Sequence, residues 1–301
     1  MFMDPHVHVL KQKNFDKATF QRLGLPFPED TPVEKLVGWL KEAGVKKAVI
    51  MGQDMTRIWN SSCGEDYVLE CLRHYPSFFL ALASVEPIDA AGRFSKPALD
   101  YFIKAVTENG FRGLLLTPPY GRFRSDDRAV YPFYEKAVEL NVVVQFHHCP
   151  QAPGPVALTP FKYVNPLSLN NVLGDFPNLK VVVEHLNYPY YEELFFMMTA
   201  DPNVYADISM NYDRPYILTW NLVKAKEFGV IDRIMYASDY WVPGQNQTVF
   251  SMNPGQDMKK WINFIKTGLN QTTQKCGWPT FTQKEIDGIL YSNAARLYGL
   301  D

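Results

Sequence analysis

The sequence lacks the charge pattern of proteins that bind nucleic acids or anionic membranes. Its 301 residues contain no block of five or six like charges, and the formal net charge is only −2. Nucleic acids and anionic membranes are attracted by a strong positive electrostatic field, so we expect the protein to bind neither of them. The apolar runs, such as VVVQF, are also far shorter than the roughly 20 residues needed to cross a bilayer.

Cysteine is scarce and scattered. Cys63, Cys71, Cys149 and Cys276 form no C-x-x-C pair, which indicates free thiols in a reducing compartment rather than a disulfide framework or a zinc cage. The first residues also lack the basic segment, apolar run and cleavage site of a secretory signal. We therefore expect a cytoplasmic location.

What recurs along the chain is a short apolar run followed by a longer amphipathic segment. The runs are rich in Val, Ile, Leu and Phe, as expected of strands buried on both faces, and segments such as VEKLVGWLKEAG have helical periodicity. Eight runs begin at Phe2, Lys46, Phe78, Arg112, Asn141, Leu179, Asn203 and Arg233.

Eight strand–helix units predict an α/β fold, a (β/α)8 TIM barrel formed by a single domain over residues 1–301. The alternative is an open doubly wound sheet. That fold would need a glycine-rich phosphate turn after the first strand, and G-x-G-x-x-G is absent. The barrel is therefore the favoured architecture.

Histidines occupy the predicted ends of the strands, where barrel enzymes place their active sites. His6 and His8 share one face of the first strand because they are two residues apart. Two neighbouring imidazoles can chelate one divalent cation, which compensates for their burial. Asp4 lies deeper on the same face and could orient a ligand.

Later strands repeat this pattern. The fifth predicted strand ends at His147, the sixth at His185 and the eighth at Asp239. Because neighbouring residues on a strand face opposite ways, we expect His147 to point inward and His148 to line the loop or bond locally. Cys149 is interpreted as a buried thiol.

These residues together resemble the signature of the amidohydrolase superfamily. The segments FPNLKVVVEH, NVYADIS, RIMYASDY and SNAARLYGL are similar, in the same order, to its amidohydrolase-related branch. That branch includes aminocarboxymuconate-semialdehyde decarboxylase and lactonase-like metal-dependent hydrolases. The resemblance spans nearly the whole chain.

The resemblance implies a role for each matching residue. His6, His8, His147 and Asp239 match the ligands of a single divalent metal ion, usually Zn2+ and sometimes Mn2+. His185 matches an acid/base histidine, and Asp239 also takes a proton from the metal's water in hydrolytic members. RGLLLT contains no lysine to bridge a second ion.

The expected activity is hydrolysis of a small carboxylated ester, lactone or amide through a metal-activated water. The alternatives are a decarboxylase (a carboxy-lyase acting on an aromatic or unsaturated acid), a metal-independent lactonase, and a barrel without catalysis. The lactonase-like members are favoured because HLNYPYY lacks the glycines that follow the strand-six histidine in many decarboxylases.

Three residues on loops that follow predicted strands are candidates for substrate binding. Arg57 and Arg122 follow the second and fourth strands and could bind a carboxylate, and Arg57 is the favoured one. Trp241, after the eighth strand, could supply a flat wall. Surface charge and loop packing are the alternative explanations for these residues. By analogy with related barrels, a homodimer is also an option.

Overall fold

The computed structural model describes residues 1–150, 156–241 and 251–300. Eight strands form one parallel sheet, in which each strand pairs with the next along the chain. They are β1 Phe2–His8, β2 Val45–Met51, β3 Phe79–Ser84, β4 Gly113–Leu116, β5 Val143–Phe146, β6 Lys180–Val183, β7 Val204–Asp207 and β8 Ile234–Met235.

The sheet closes on itself where β1 meets the segment after β8. Val7 forms a parallel bridge with Tyr240. The backbone N–H of His8 donates to the carbonyl of Tyr240 at 2.7 Å, and that of Asp239 donates to the carbonyl of His6 at 3.0 Å. The predicted (β/α)8 barrel is therefore confirmed, and its closure sets His6, His8 and Asp239 side by side.

Helices surround the sheet. They span Lys17–Leu23, Val33–Glu42, Thr56–Trp59, Glu65–His74, Lys96–Thr107, Pro118–Gly121, Tyr131–Glu139, Pro166–Asp175, Tyr191–Ala200, Pro215–Glu227, Pro254–Asn263, Leu269–Cys276, Gln283–Asp287 and Asn293–Tyr298. Thr282 and Glu285 form a capping box, because each side chain satisfies a backbone N–H that the helix leaves unpaired. A two-stranded hairpin pairs Asp54–Met55 with Ser61–Ser62.

The buried apolar side chains form three clusters, and their arrangement leaves one end of the barrel for the functional residues. The largest lies between the strands and the helices. A second fills the barrel interior and is closed at one end by the C-terminal helix, through Ala294, Leu297 and Tyr298. The third, here called the mouth cluster, covers the opposite end of the barrel and consists of Leu10, Phe15, Phe20, Met55, Trp59, Cys63, Tyr120 and Leu158.

Within the described ranges, no helix is long and apolar enough to cross a membrane. The extent of the domain, residues 1–301, stays a prediction.

Candidate metal centre and active site

Three of the predicted site residues meet at the end of the barrel beneath the mouth cluster. Nε2 of His6 lies 3.1 Å from Nε2 of His8 and 3.2 Å from Oδ1 of Asp239, and the latter two atoms are 3.4 Å apart. Four ligands placed tetrahedrally about 2.0–2.1 Å from zinc would lie roughly 3.3 Å from one another. Two imidazole nitrogens and a carboxylate oxygen at these separations fit a single divalent cation.

Each histidine of this triad is oriented by a hydrogen bond from its other ring nitrogen. Nδ1 of His8 donates to the carbonyl of Gly52 at 3.2 Å, and Nδ1 of His6 lies 3.0 Å from Oδ2 of Asp207. Asp4 bonds to backbone groups beside this triad. Its Oδ1 accepts from the backbone N–H groups of Ser238 and His6, which holds β1 against the segment after β8.

A second group of candidate ligands consists of His147, Cys149 and His185, whose ligand atoms lie within 4.8 Å of one another. Nδ1 of His147 is 3.3 Å from Nε2 of His185, and Sγ of Cys149 is 3.7 Å from Nε2 of His147. The structure thus places His147 inward, as expected, beside His185. Cys149 is buried, as its interpretation as a buried thiol requires.

Glu184 joins the two groups and was missed in the sequence. Its Oε1 lies 3.4 Å from Nε2 of His6, and its Oε2 lies 2.9 Å from Nδ1 of His147. Gln145 donates to Oε1 at 2.8 Å. Strand alternation would send Glu184 and His185 to opposite faces, but His185 has a φ of 57°. This left-handed backbone turns both side chains toward the site.

His185 and His148 have different surroundings. Nδ1 of His185 lies 2.7 Å from Oγ of Ser209, and its Nε2 faces His147. His148 instead bonds to Asn187 and Ser168, which lie 39 and 20 positions away in the chain, so its bonds are not the local ones expected. Burial lowers the pKa of His148 to about 4, so its ring is neutral near pH 7.

The charges in the centre compensate one another. Burial by itself lowers the pKa of His6, but the carboxylates of Glu184, Asp239 and Asp207 raise it well above its ordinary value. Burial raises the pKa of Glu184, and the neighbouring imidazoles reverse this to a net lowering. The pKa of Asp239 is lowered in the same way, mainly by His6. The buried carboxylates of Glu184 and Asp207 and the partly exposed carboxylate of Asp239 lie around His6, and a divalent ion would compensate their charge.

Aromatic side chains border the centre. The ring of Trp241 lies 5.3 Å from that of His8, and the ring of Tyr120 lies 4.9 Å from that of His147. Trp59 donates to the carbonyl of Tyr120 at 3.0 Å. The predicted flat wall, Trp241, thus stands directly beside a triad histidine.

The two candidate arginines are placed differently. Arg122 is exposed, and its guanidinium lies 5.2 Å from the ring centroid of Trp59 in the mouth cluster. Arg57 instead pairs with Glu86, from Nε to Oε2, at 3.4 Å. It lines a separate cavity of about 550 Å³ with Glu65, Glu86 and Tyr101.

The chain is similar to one described protein family and to several solved structures. The family model described as Amidohydrolase matches residues 3–300, whereas no curated protein matches the chain. Among solved structures, an uncharacterized TIM-barrel protein from Bordetella bronchiseptica is 20% identical with a TM-score of 0.68, and 99% of this chain and 98% of that chain are covered.

Two other similar structures carry functional descriptions. One is a probable 2-pyrone-4,6-dicarboxylic acid hydrolase from Acinetobacter baumannii with citric acid bound, at 16% identity and a TM-score of 0.66, covering 99% of each chain. The other is a dihydroxybenzoic acid decarboxylase from Polaromonas with bound manganese and an inhibitor, at 16% identity and a TM-score of 0.62. It covers 99% of this chain and 97% of that chain. At these identities the likeness concerns the fold.

Proposed function

The chain belongs to the amidohydrolase family, and on that premise we propose that it is a metal-dependent hydrolase of a small carboxylated ester, lactone or amide. The observation that carries the proposal is the triad of His6, His8 and Asp239, whose donor atoms lie 3.1 to 3.4 Å apart. Such spacing is suited to a cation and places a carboxylate where it can take a proton.

We propose that His6, His8 and Asp239 hold one divalent ion, with His147 as the fourth ligand, and that the ion is Zn2+ rather than Mn2+. When bound, the ion polarises a substrate oxygen and makes water more acidic. The donor set of imidazoles and a carboxylate suits both metals. Glu184, which contacts His6 and His147, would balance the charge of the ion.

The protein's own residues divide the proton transfers between them. As the oxygen of water bonds to the acyl carbon, Asp239 accepts the water proton and then delivers it to the leaving group, whose C–O or C–N bond breaks. In its protonated form, with a proton on each ring nitrogen, His185 donates a hydrogen bond from Nε2 to the oxyanion that forms. Asp239 suits its role because its side chain is 16% exposed, whereas Glu184 is 1% exposed.

Substrate binding is assigned to Trp241, Arg122 and Arg57. Trp241 packs a flat group beside His8, and Arg122 on the rim of the mouth cluster binds the carboxylate. Arg57 contributes only when its pair with Glu86 opens. Arg122 is therefore the stronger candidate of the two arginines.

Non-oxidative decarboxylation is the second candidate. The observation that favours it is the pair of rings, Trp241 and Tyr120, beside His8 and His147. Aromatic rings beside two of the proposed ligands suit a flat aromatic acid. In that reaction the bond to the carboxylate breaks, CO2 leaves, and a proton from Nε2 of His185 bonds to the carbon that held it.

We further propose that the protein acts in the cytoplasm, with residues 1–301 as one domain, and that a homodimer is an option by analogy with related barrels. The four cysteines are free thiols, three of them buried, which suits a reducing compartment.

Metal analysis combined with a substrate screen tests the proposal. We expect about one equivalent of zinc or manganese in purified protein, and its loss in a His6→Ala/His8→Ala variant. His74→Ala is the matched control because His74 is exposed on the helix Glu65–His74. Lactones and esters are then screened beside aromatic acids, with CO2 release identifying the decarboxylase. A folded, active protein without metal would instead support a metal-independent lactonase.

A further inference from the structure

We propose that Asp207, the last residue of β7, is a positioning residue that fixes the ring tautomers of both His6 and His185. The inference rests on the proposed function only in the roles it gives those two rings, one binding the cation and one transferring a proton. Asp207 is fully buried and bonds toward both histidines, one carboxylate oxygen for each.

The first carboxylate oxygen of Asp207 fixes the ring tautomer of His6. Oδ2 of Asp207 lies 3.0 Å from Nδ1 of His6. The carboxylate of Asp207 accepts from this nitrogen, so whenever the ring is neutral, as ligation of a cation through Nε2 requires, its proton is on Nδ1. Nε2 is then left with its lone pair directed at the triad, 3.1 Å from Nε2 of His8. This is the tautomer that a metal ligand requires.

The second carboxylate oxygen of Asp207 fixes the ring tautomer of His185 through Ser209. Oδ1 of Asp207 accepts from the backbone N–H groups of His185 and Ser209, at 3.1 and 3.0 Å, and from the hydroxyl of Ser209. A serine hydroxyl has one proton. Because Ser209 donates that proton to Asp207, its Oγ can only accept from Nδ1 of His185, 2.7 Å away.

His185 therefore keeps its proton on Nδ1, and Nε2 becomes the atom that exchanges protons. Nε2 is also the atom that faces the site, because it lies 3.3 Å from Nδ1 of His147 and 3.6 Å from Oε2 of Glu184. The same oxygen of Asp207 holds the backbone N–H of His185, and so stabilises the left-handed φ of 57° there. One carboxylate thus decides which nitrogen of each ring is available.

Two substitutions distinguish the contact of Asp207 with His6 from its contact with His185 through Ser209. Ser209→Ala removes the acceptor of His185 and leaves the bond between Asp207 and His6 intact. Asp207→Asn replaces two acceptor oxygens by one acceptor and one donor, so that one of the two histidines must lose its partner. Ser209→Thr keeps the hydroxyl and serves as the conservative rescue, and Asp232→Asn is an exposed control.

The readout is the ring tautomer, measured by long-range 1H–15N correlation spectra of 15N-labelled protein as purified and with added zinc chloride. Signals are assigned with His6→Gln and His185→Gln. At a pH where the rings are neutral, we expect Nδ1–H tautomers for both of them, a change confined to His185 in Ser209→Ala, and restoration in Ser209→Thr. In Asp207→Asn, the tautomer of one of the two rings should change. If that ring is His6, zinc affinity should fall about 10- to 100-fold.

The inference is overturned if His185 is the Nε2–H tautomer in the unchanged protein, or if Ser209→Ala alters His6 as much as His185. It is also overturned if both rings keep their signals in Asp207→Asn. Should Asp207→Asn not fold, the comparison of Ser209→Ala with Ser209→Thr decides. The spectra need no substrate, so failure of the proposed reaction and failure of this inference are separate results.

Discussion

A pH-dependent loss of stability is expected from Glu65, the first residue of the helix Glu65–His74. Its Oε2 accepts from the backbone N–H of Ser84 at 3.0 Å and from the hydroxyl of Tyr101 at 3.3 Å. Its Oε1 is buried and has no hydrogen-bond partner within the described part of the chain. Burial is the main reason that the pKa of Glu65 rises from 4.5 to about 8.

The direction of this pH effect follows from the pKa of Glu65 in the unfolded chain and in the folded protein. The unfolded chain releases this proton near pH 4.5, whereas the folded protein holds it until about pH 8. In that window the folded state binds the extra proton, so the free energy of unfolding falls as the pH rises, by up to about 1.4 kcal/mol per pH unit. The loss accumulated by pH 8 is at most roughly 5 kcal/mol.

Glu65→Gln removes this dependence because an amide stays neutral at every pH. Urea unfolding at pH 5, 6, 7 and 8 should give a free energy of unfolding that falls more steeply for the unchanged protein than for the variant. Glu70→Gln is the control, since Glu70 is exposed on the same helix, and it should follow the unchanged protein. Parallel pH profiles for Glu65→Gln and the unchanged protein would refute the reasoning.

Three further predictions concern the active site. Asp239→Asn should lower kcat/KM by about 10²- to 10⁴-fold on any substrate found, against an unaffected Asp232→Asn, and near-normal turnover would remove Asp239 from its catalytic role. A chelator should lower the melting temperature in differential scanning calorimetry. Zinc at 100 times its Kd should restore about 2.7 kcal/mol of the free energy of unfolding. A melting temperature that the chelator leaves unchanged would contradict a structural contribution from the ion. Trp241→Ala should raise KM about tenfold for an aromatic substrate, the equivalent of about 1.4 kcal/mol, whereas Trp220→Ala, exposed on the helix Pro215–Glu227, should leave KM unchanged.

Much of the site could be predicted because strand geometry is local. Residues two apart on a strand share a face, so His6 and His8 had to lie together once β1 was recognised. The same alternation separated His147, which lies beside His185, from His148, which bonds to Asn187. These inferences needed only the period of the strand and its place in a barrel.

The prediction was incomplete where the backbone departs from that period. Glu184 was missed because alternation places it opposite His185, and only the left-handed φ at His185 brings both into the site. Asp207 was missed because an aspartate within NVYADIS carries no local signal of a partner on β1. Asp4, which was a candidate for orienting a ligand, instead bonds to backbone N–H groups.

The sequence by itself determined the alternation of strands and helices, the barrel that follows from it, and the residues available at the strand ends. Those properties depend on the hydrophobic period, which any short window of the chain contains. The tertiary structure alone decided which donors meet. Asp4 and Ser238 are 234 positions apart in the chain, yet they bond where the barrel closes. Such contacts depend on closure and register, which no local pattern encodes.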